Sequence, residues 1–540
     1  MNRMTKAFYL RRAVIILLSA LLTTGSAMAQ WQPSDVNYIS LDKDGTYGQM
    51  QTKALRTDDG KTVLTWLRWS EGLELDDPVS GYYLHLQVFD AEGKTLFGDE
   101  GIIVSDKPTA SYTTDYDLAL ASNGDILIAY MDTRNDANKQ MLDVYVYRYD
   151  QEGQPVWSAD GVKIVAKITQ VEGSQYSPSL CVSGDNMYVS LIHSELYNEH
   201  GEGDEEGRVD VQIIRLDDDG SAAWDSNVVQ DTNMLLLLSA PEGDAYLIYG
   251  TDSYGLEAQR INKDGQYVWA TPVTVESDPL SPGPFMPTPD CYVDEEGGVA
   301  LAYRKITDWG GIEVYNRLTP NGKAFEQTMP CNGSTEGDAG TGVIAAKGQQ
   351  TLVAWELQMG GLMLYMNLFQ LDGSYAWNDG KQEGLALDAG SEWGYRPVKI
   401  IPQNDGWVVF YGNATDWNTA KFMACKINDE GETMWSKQLA EGDFRSSGFS
   451  IVYDDTYAYI FFTREEEYDE NGIVILGSGG LFVMCVDISN AGNPSSILKP
   501  ELNNEAVSSM VYDLNGRRII GKPTQRGIYI IDGKKKVKKQ

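Results

Sequence analysis

One short pattern recurs along most of this 540-residue chain and narrows sharply what it can fold into. An alternating apolar stretch runs into an Asx-rich turn that closes on glycine, and an aromatic follows about four residues later. The turns are Asp90-Ala91-Glu92-Gly93, Asp150-Gln151-Glu152-Gly153 with Trp157, Asp217-Asp218-Asp219-Gly220 with Trp224, and Asn262-Lys263-Asp264-Gly265 with Trp269. They continue as Pro320-Asn321-Gly322 with Phe325, Asp372-Gly373 with Trp377, Asn428-Asp429-Glu430-Gly431 with Trp435, and a degenerate Asp487-Ile488-Ser489-Asn490-Ala491-Gly492. Eight copies with a mean spacing of 57 residues describe one supersecondary unit used repeatedly. Glycine ends each turn because that position wants positive φ, which costs a residue with a Cβ about 1 kcal/mol or more.

Upstream of each turn lie two more strand signals. Ala119-Leu120-Ala121 leads through Ser122-Asn123-Gly124-Asp125 into Ile126-Leu127-Ile128-Ala129-Tyr130, and Lys347-Gly348-Gln349-Gln350 leads into Thr351-Leu352-Val353-Ala354-Trp355. Period-two runs such as Val144-Tyr145-Val146-Tyr147 are strand-like, and no helical face follows the N-terminal segment. Four strands per unit, eight times over, predict an all-β chain: a β-propeller of eight four-stranded blades, or seven if a terminal unit is incomplete. The predicted limits are 30–500 for the propeller and 501–540 for a short C-terminal β segment.

Residues 1–29 read as a secretory signal peptide. Arg3, Lys6, Arg11 and Arg12 precede an apolar run from Ala13 to Leu22, and Ala27-Met28-Ala29 forms a small-x-small cleavage site. No later stretch is long and apolar enough for a membrane span. The net charge of −35 is unevenly spread: residues 1–29 carry +4 and 506–540 carry +7, which leaves −46 for the rest. Such acidity argues against a nucleic-acid partner, which needs clustered Lys and Arg. The five cysteines, Cys181, Cys291, Cys331, Cys425 and Cys485, are widely spread and form no compact framework, so packing rather than disulfide formation is expected.

In the tail, Met510-Val511-Tyr512-Asp513-Leu514-Asn515-Gly516-Arg517-Arg518, with Gly527-Ile528-Tyr529-Ile530-Ile531-Asp532-Gly533-Lys534, resembles the closing strands of a type IX secretion sorting domain. Met131-Asp132-Thr133-Arg134-Asn135, Asp143 to Gly153 and Trp157-Ser158-Ala159-Asp160-Gly161 resemble a repeat of type IX-exported bacterial surface proteins. These resemblances imply a propeller at the outer surface of, or secreted by, a Gram-negative bacterium, with the export machinery as partner of the tail. They imply no reaction. A sialidase Asp-box would place its aromatic three residues after the glycine and Ser or Thr two before the Asp, whereas Trp157, Trp224, Trp269, Trp377 and Trp435 fall four after. That spacing resembles the tryptophan-docking motif of quinoprotein propellers, without their adjacent cysteines. The five tryptophans are accordingly expected to dock blades, with no cofactor.

Metal candidates are confined to the acidic run 195–206, where Glu202, Asp204 and Glu205 suit Ca²⁺ by composition but not by motif. Recognition is the stronger expectation. The links from second to third strand and from blade to blade share one face, and there fall Asp308-Trp309, Asp416-Trp417 and Glu392-Trp393-Gly394-Tyr395. A Trp beside an acid suits a sugar, since the ring stacks on the pyranose and the carboxylate takes hydroxyls. The expectation is a monomeric, non-catalytic binding or scaffold propeller that recognises a glycan or an extracellular protein through Trp309, Trp393, Trp417, Asp308, Asp416 and Tyr395. A glycan-processing or quinone-dependent propeller enzyme is the alternative.

Overall fold

The computed structural model describes residues 39–41, most of 49–489, and the strand segments 511–512, 518–519, 527–531 and 534–538. The longest spans outside it are 1–38, 42–48, 70–81, 108–114, 165–173, 196–208, 281–287, 465–479, 490–510 and 520–526. Among the described residues there is no α-helix, only one 3-10 turn at Pro241–Gly243. The strands form eight antiparallel blades in a β-propeller, followed by a small four-stranded C-terminal sheet.

Blade 1 consists of Gln49–Arg56, Thr62–Trp69, Tyr82–Phe89 and Ile102–Ile103, in that order from inner to outer strand. The inner strands of blades 2 to 8 are Tyr116–Leu120, Ser174–Ser183, Leu235–Ser239, Asp290–Val293, Val343–Lys347, Tyr395–Gln403 and Phe449–Tyr453. Blade 6 departs from the plan. Its inner strand is broken, and Asp338–Ala339 and Val343–Lys347 both pair with Gln350–Gln358.

The recurrent turn joins third and fourth strands. Asp90 N–H donates to the Lys94 carbonyl, Gly93 N–H donates back to the Asp90 carbonyl, and Asp90 Oδ1 accepts from Glu92 and Lys94 N–H. Gly93 has φ +83°, the left-handed position of a bulged hairpin loop. The eighth unit is degenerate for a topological reason. Blade 8 takes its outer strand from the other end of the chain, where Ile39–Ser40 pairs with Gly480–Asp487.

Alternation then buries one apolar set on each side of every blade. Eight apolar clusters result among the described residues, one for each seam. The seam that closes the ring packs Ala54, Leu64, Trp66 and Phe89 of blade 1 against Val452, Tyr459, Phe461 and Leu481 of blade 8.

The turn aromatics bridge these seams. Trp157 Nε1 donates to the Asp218 carbonyl at 2.7 Å, Trp224 Nε1 to that of Lys263 at 2.9 Å, and Trp377 Nε1 to that of Asp429 at 2.8 Å. Each ring therefore lies on the glycine turn of the following blade rather than on its own hairpin. A Cβ on Gly265 or Gly322 would fall 2.9 Å from Trp224 or Trp269. Phe97 and Phe325 meet Gly153 and Gly373 in the same way. Trp435 is buried in the seam to blade 8 beside Ile488. All five cysteines carry free thiols.

Candidate functional site

Blade topology puts the second-to-third-strand links and the blade-to-blade links on one face, and blades 5 to 7 supply its chemistry. The link from blade 6 to blade 7 is tied down by one serine. Ser391 Oγ accepts Gly394 N–H at 3.0 Å and lies 2.9 Å from the Ala414 carbonyl, at the end of blade 7's second strand. Ala414 N–H returns a bond to the Gly394 carbonyl at 2.9 Å, which joins this link to the turn that holds Asp416. Trp393 stands at the tip of the link with 51% of its surface exposed.

Beneath it lies a carboxylate. Glu356, near the end of blade 6's second strand, accepts Tyr395 N–H on Oε2. Gly394 has φ +117°, and a Cβ there would fall 2.7 Å from that same oxygen, so the link has to be glycine to cross the carboxylate. Burial pushes the Glu356 carboxyl up, partly offset by the bond from Tyr395, and Asp338 nearby raises it further. Asp338 is held down instead by Arg304, whose Nη2 donates to Oδ1 at 2.5 Å while Nε donates to the Ala339 carbonyl at 2.6 Å. An ion pair, a second carboxyl and an exposed indole thus follow one another across blades 5 to 7.

The residues expected from sequence are distributed as follows. Trp309 and Trp417 lie outside the described residues, as do Glu202, Asp204 and Glu205. Asp308 is exposed in the link between Val299–Thr307 and Gly310–Leu318 of blade 5. Asp416 is exposed and accepts Thr419 N–H at 2.7 Å, which closes its turn. Tyr395 is buried, with its ring 6.3 Å from that of Tyr411, and its hydroxyl accepts Ser391 N–H at 3.1 Å. It supports the link from below. Among the described residues no group of three or more His, Cys, Asp or Glu is arranged to hold a metal.

No protein-family profile matches the chain, and no curated protein does. Solved structures overlap it distantly. A puromycin hydrolase aligns at TM-score 0.39 and 14% identity over 81% of this chain, which spans 62% of that protein. An ulvan lyase, a polysaccharide lyase, aligns at 0.36 and 12% over 68% of this chain and 91% of its own. A Penicillium chrysogenum α-L-arabinanase aligns at 0.33 and 12%, over 72% and 97%. Overlaps at this level assign neither reaction nor ligand.

Sequence reasoning missed a second polar cluster, in the channel. Lys53 of blade 1 reaches Asp117 of blade 2 at 3.2 Å and Asp115 at 3.6 Å. Asp117 Oδ2 in turn accepts Leu180 N–H of blade 3 at 2.7 Å. Bulges aim these side chains: the register slips between Met50 and Lys53 and between Tyr176 and Ser179. Gln51 and Ser177 within them sit at φ +54° and +48°. The only sequence signal was an acid and a lysine at inner-strand positions. In the structure they join the inner strands of blades 1, 2 and 3.

Proposed function

We propose that this propeller is a non-catalytic recognition module that binds a glycan on the face of blades 5 to 7, with Trp393 as the stacking platform. The observation that carries the reading is an indole half exposed at the tip of a link fixed by three hydrogen bonds through Ser391 and Gly394, next to the residues that Glu356 holds. A rigid exposed aromatic ring loses little entropy when a sugar stacks on it, and adjacent carboxylates accept hydroxyl donors. Asp308 and Asp416, with Trp309 and Trp417 beside them in sequence, extend the same chemistry over the neighbouring links. Residues 1–29 and 501–540 fit export and surface sorting of a module of this kind.

A glycan array with wild-type protein and Trp393→Ala tests the reading. Loss of one stacking contact is expected to weaken the best oligosaccharide about tenfold, equivalent to about 1.4 kcal/mol, with the melting temperature unchanged. Equal binding by both proteins, or shortening of the recovered oligosaccharide, would contradict it.

A further inference from the structure

Blade 5 breaks its own repeat at one buried position. Nine residues before the glycine of each turn, the third strands carry Leu84, Val144, Val211, Leu256, Glu313, Leu364 and Phe422, none more than 1% exposed. Six of these are apolar and pack the seams. The seventh is a carboxyl facing the seam between blades 5 and 6.

That carboxyl meets the break in blade 6's inner strand. Glu313 Oε1 accepts Gly342 N–H at 3.1 Å, and Oε2 has no hydrogen-bond partner among the described residues. A Cβ on residue 342 would fall 2.4 Å from Oε1, so the strand interruption and the carboxyl fit one another. Two residues on, Asp290 Oδ2 accepts Ile344 N–H at 2.8 Å. Two acids of blade 5 thus hold alternate amides where blade 6 begins. Arg304 is the cross-strand neighbour of Glu313, yet its guanidinium turns to Asp338 and the Ala339 carbonyl.

The break leads to the Trp393 link. Gly340 N–H donates to the Glu356 carbonyl at 3.0 Å, and a Cβ on Gly340 would lie 3.4 Å from Glu356 Cβ. Glu356 then carries Tyr395 and Gly394. We propose that Glu313 is a protonation-dependent positioning residue: its neutral carboxyl clasps the break in blade 6 and fixes the ledge beneath Trp393, and its ionisation loosens that ledge. The effect on recognition rests on the function proposed above; the clasp does not.

The surrounding charges set the direction. Among the described residues of blade 5, Asp290 on the inner strand, Tyr303 and Arg304 on the second and Cys331 just past the outer strand interact electrostatically with Glu313; Asp338 and Glu356 flank the break in blade 6. Burial pushes the carboxyl well above the usual range, Gly342 N–H pulls it down, Asp290 raises it and Arg304 lowers it. An acid raised in the folded state favours its neutral form there. Stability is therefore lost as pH rises from the ordinary glutamate value of about 4.3 towards the raised folded value.

Amide hydrogen exchange at Gly342 and Ile344 and titration with the array-selected oligosaccharide, from pH 5 to 9, compare wild type with Glu313→Gln and Glu313→Leu. In wild type, protection and affinity are expected to fall with rising pH relative to Glu313→Gln, which keeps an acceptor for Gly342 but cannot ionise. Glu313→Leu restores the sibling residue; it is expected to fold with a higher midpoint at pH 8 but to lose protection at Gly342 at every pH. Parallel profiles for wild type and Glu313→Gln would overturn the clasp. If exchange diverges while no oligosaccharide binds at any pH, the clasp is supported and the recognition reading is the one that fails.

Discussion

At the scale of single residues, the contact that recurs most is an indole on a glycine one blade away. Gly431 has φ +83°, and a Cβ there would lie 2.4 Å from Leu385 Cδ1 and 3.2 Å from Trp377. Gly431→Ala combines a left-handed backbone with a displaced ring, so a loss of about 2–3 kcal/mol is expected by denaturant titration. Trp377→Ala, which empties a buried site, is expected to cost about 3–5 kcal/mol. Because the two residues share one contact, the double mutant should lose less than the two costs added together; strict additivity would show that the ring and the turn are independent. The spacing of Trp377 after Gly373 made a docking role legible. Its partner turn, more than fifty residues further on, was not, because periodicity shows equivalent positions and not which neighbours touch. Phe97 has the same four-residue spacing after Gly93 and meets Gly153 as the tryptophans meet their turns.

At the scale of elements, closure depends on a strand from the far end of the chain. Ile39 pairs with Val483, and Leu41 N–H donates to the Leu481 carbonyl at 2.8 Å. Deleting residues 30–41 leaves the third strand of blade 8 with an unpaired edge. Exchange is expected to rise at Gly480–Asp487 and Tyr457–Arg464 while amides of blades 3 to 5 keep their protection; uniform loss would mean that the ring unfolds as one unit. The degenerate eighth turn, with no tryptophan after it, carried the trace of this arrangement in the sequence. Short apolar strand runs set between turns made the blades legible, because the central strands are buried on both faces. The inner-strand bulges at Gln51 and Ser177 were not legible, since neither residue type marks positive φ and the contacts beside them, of Lys53 and Asp117, run between neighbouring blades.

For the whole molecule, charge distribution sets the class of ligand that can approach. With −46 outside the two basic ends, the propeller disfavours a polyanion within roughly 8 Å, the Debye length at physiological salt. A neutral oligosaccharide is unaffected. Raising NaCl from about 50 to 500 mM is expected to change its affinity less than twofold and to raise the melting temperature by screening self-repulsion; a steep fall in affinity would point to an ionic ligand. The eight-bladed ring was readable from the repeat alone. The recognition face was readable in part, because Trp393 beside Glu392 is visible as a motif, whereas Glu356 and Arg304 arrive from other blades and only the closed ring places them. The most direct measurement replaces tryptophan with 5-fluorotryptophan, assigns the Trp393 resonance by Trp393→Phe, and follows the ¹⁹F spectrum during titration with the selected oligosaccharide. A saturable shift of Trp393, with the fully buried Trp355 and Trp407 unmoved, is the expected result. Saturable binding that leaves the Trp393 resonance in place would contradict the account.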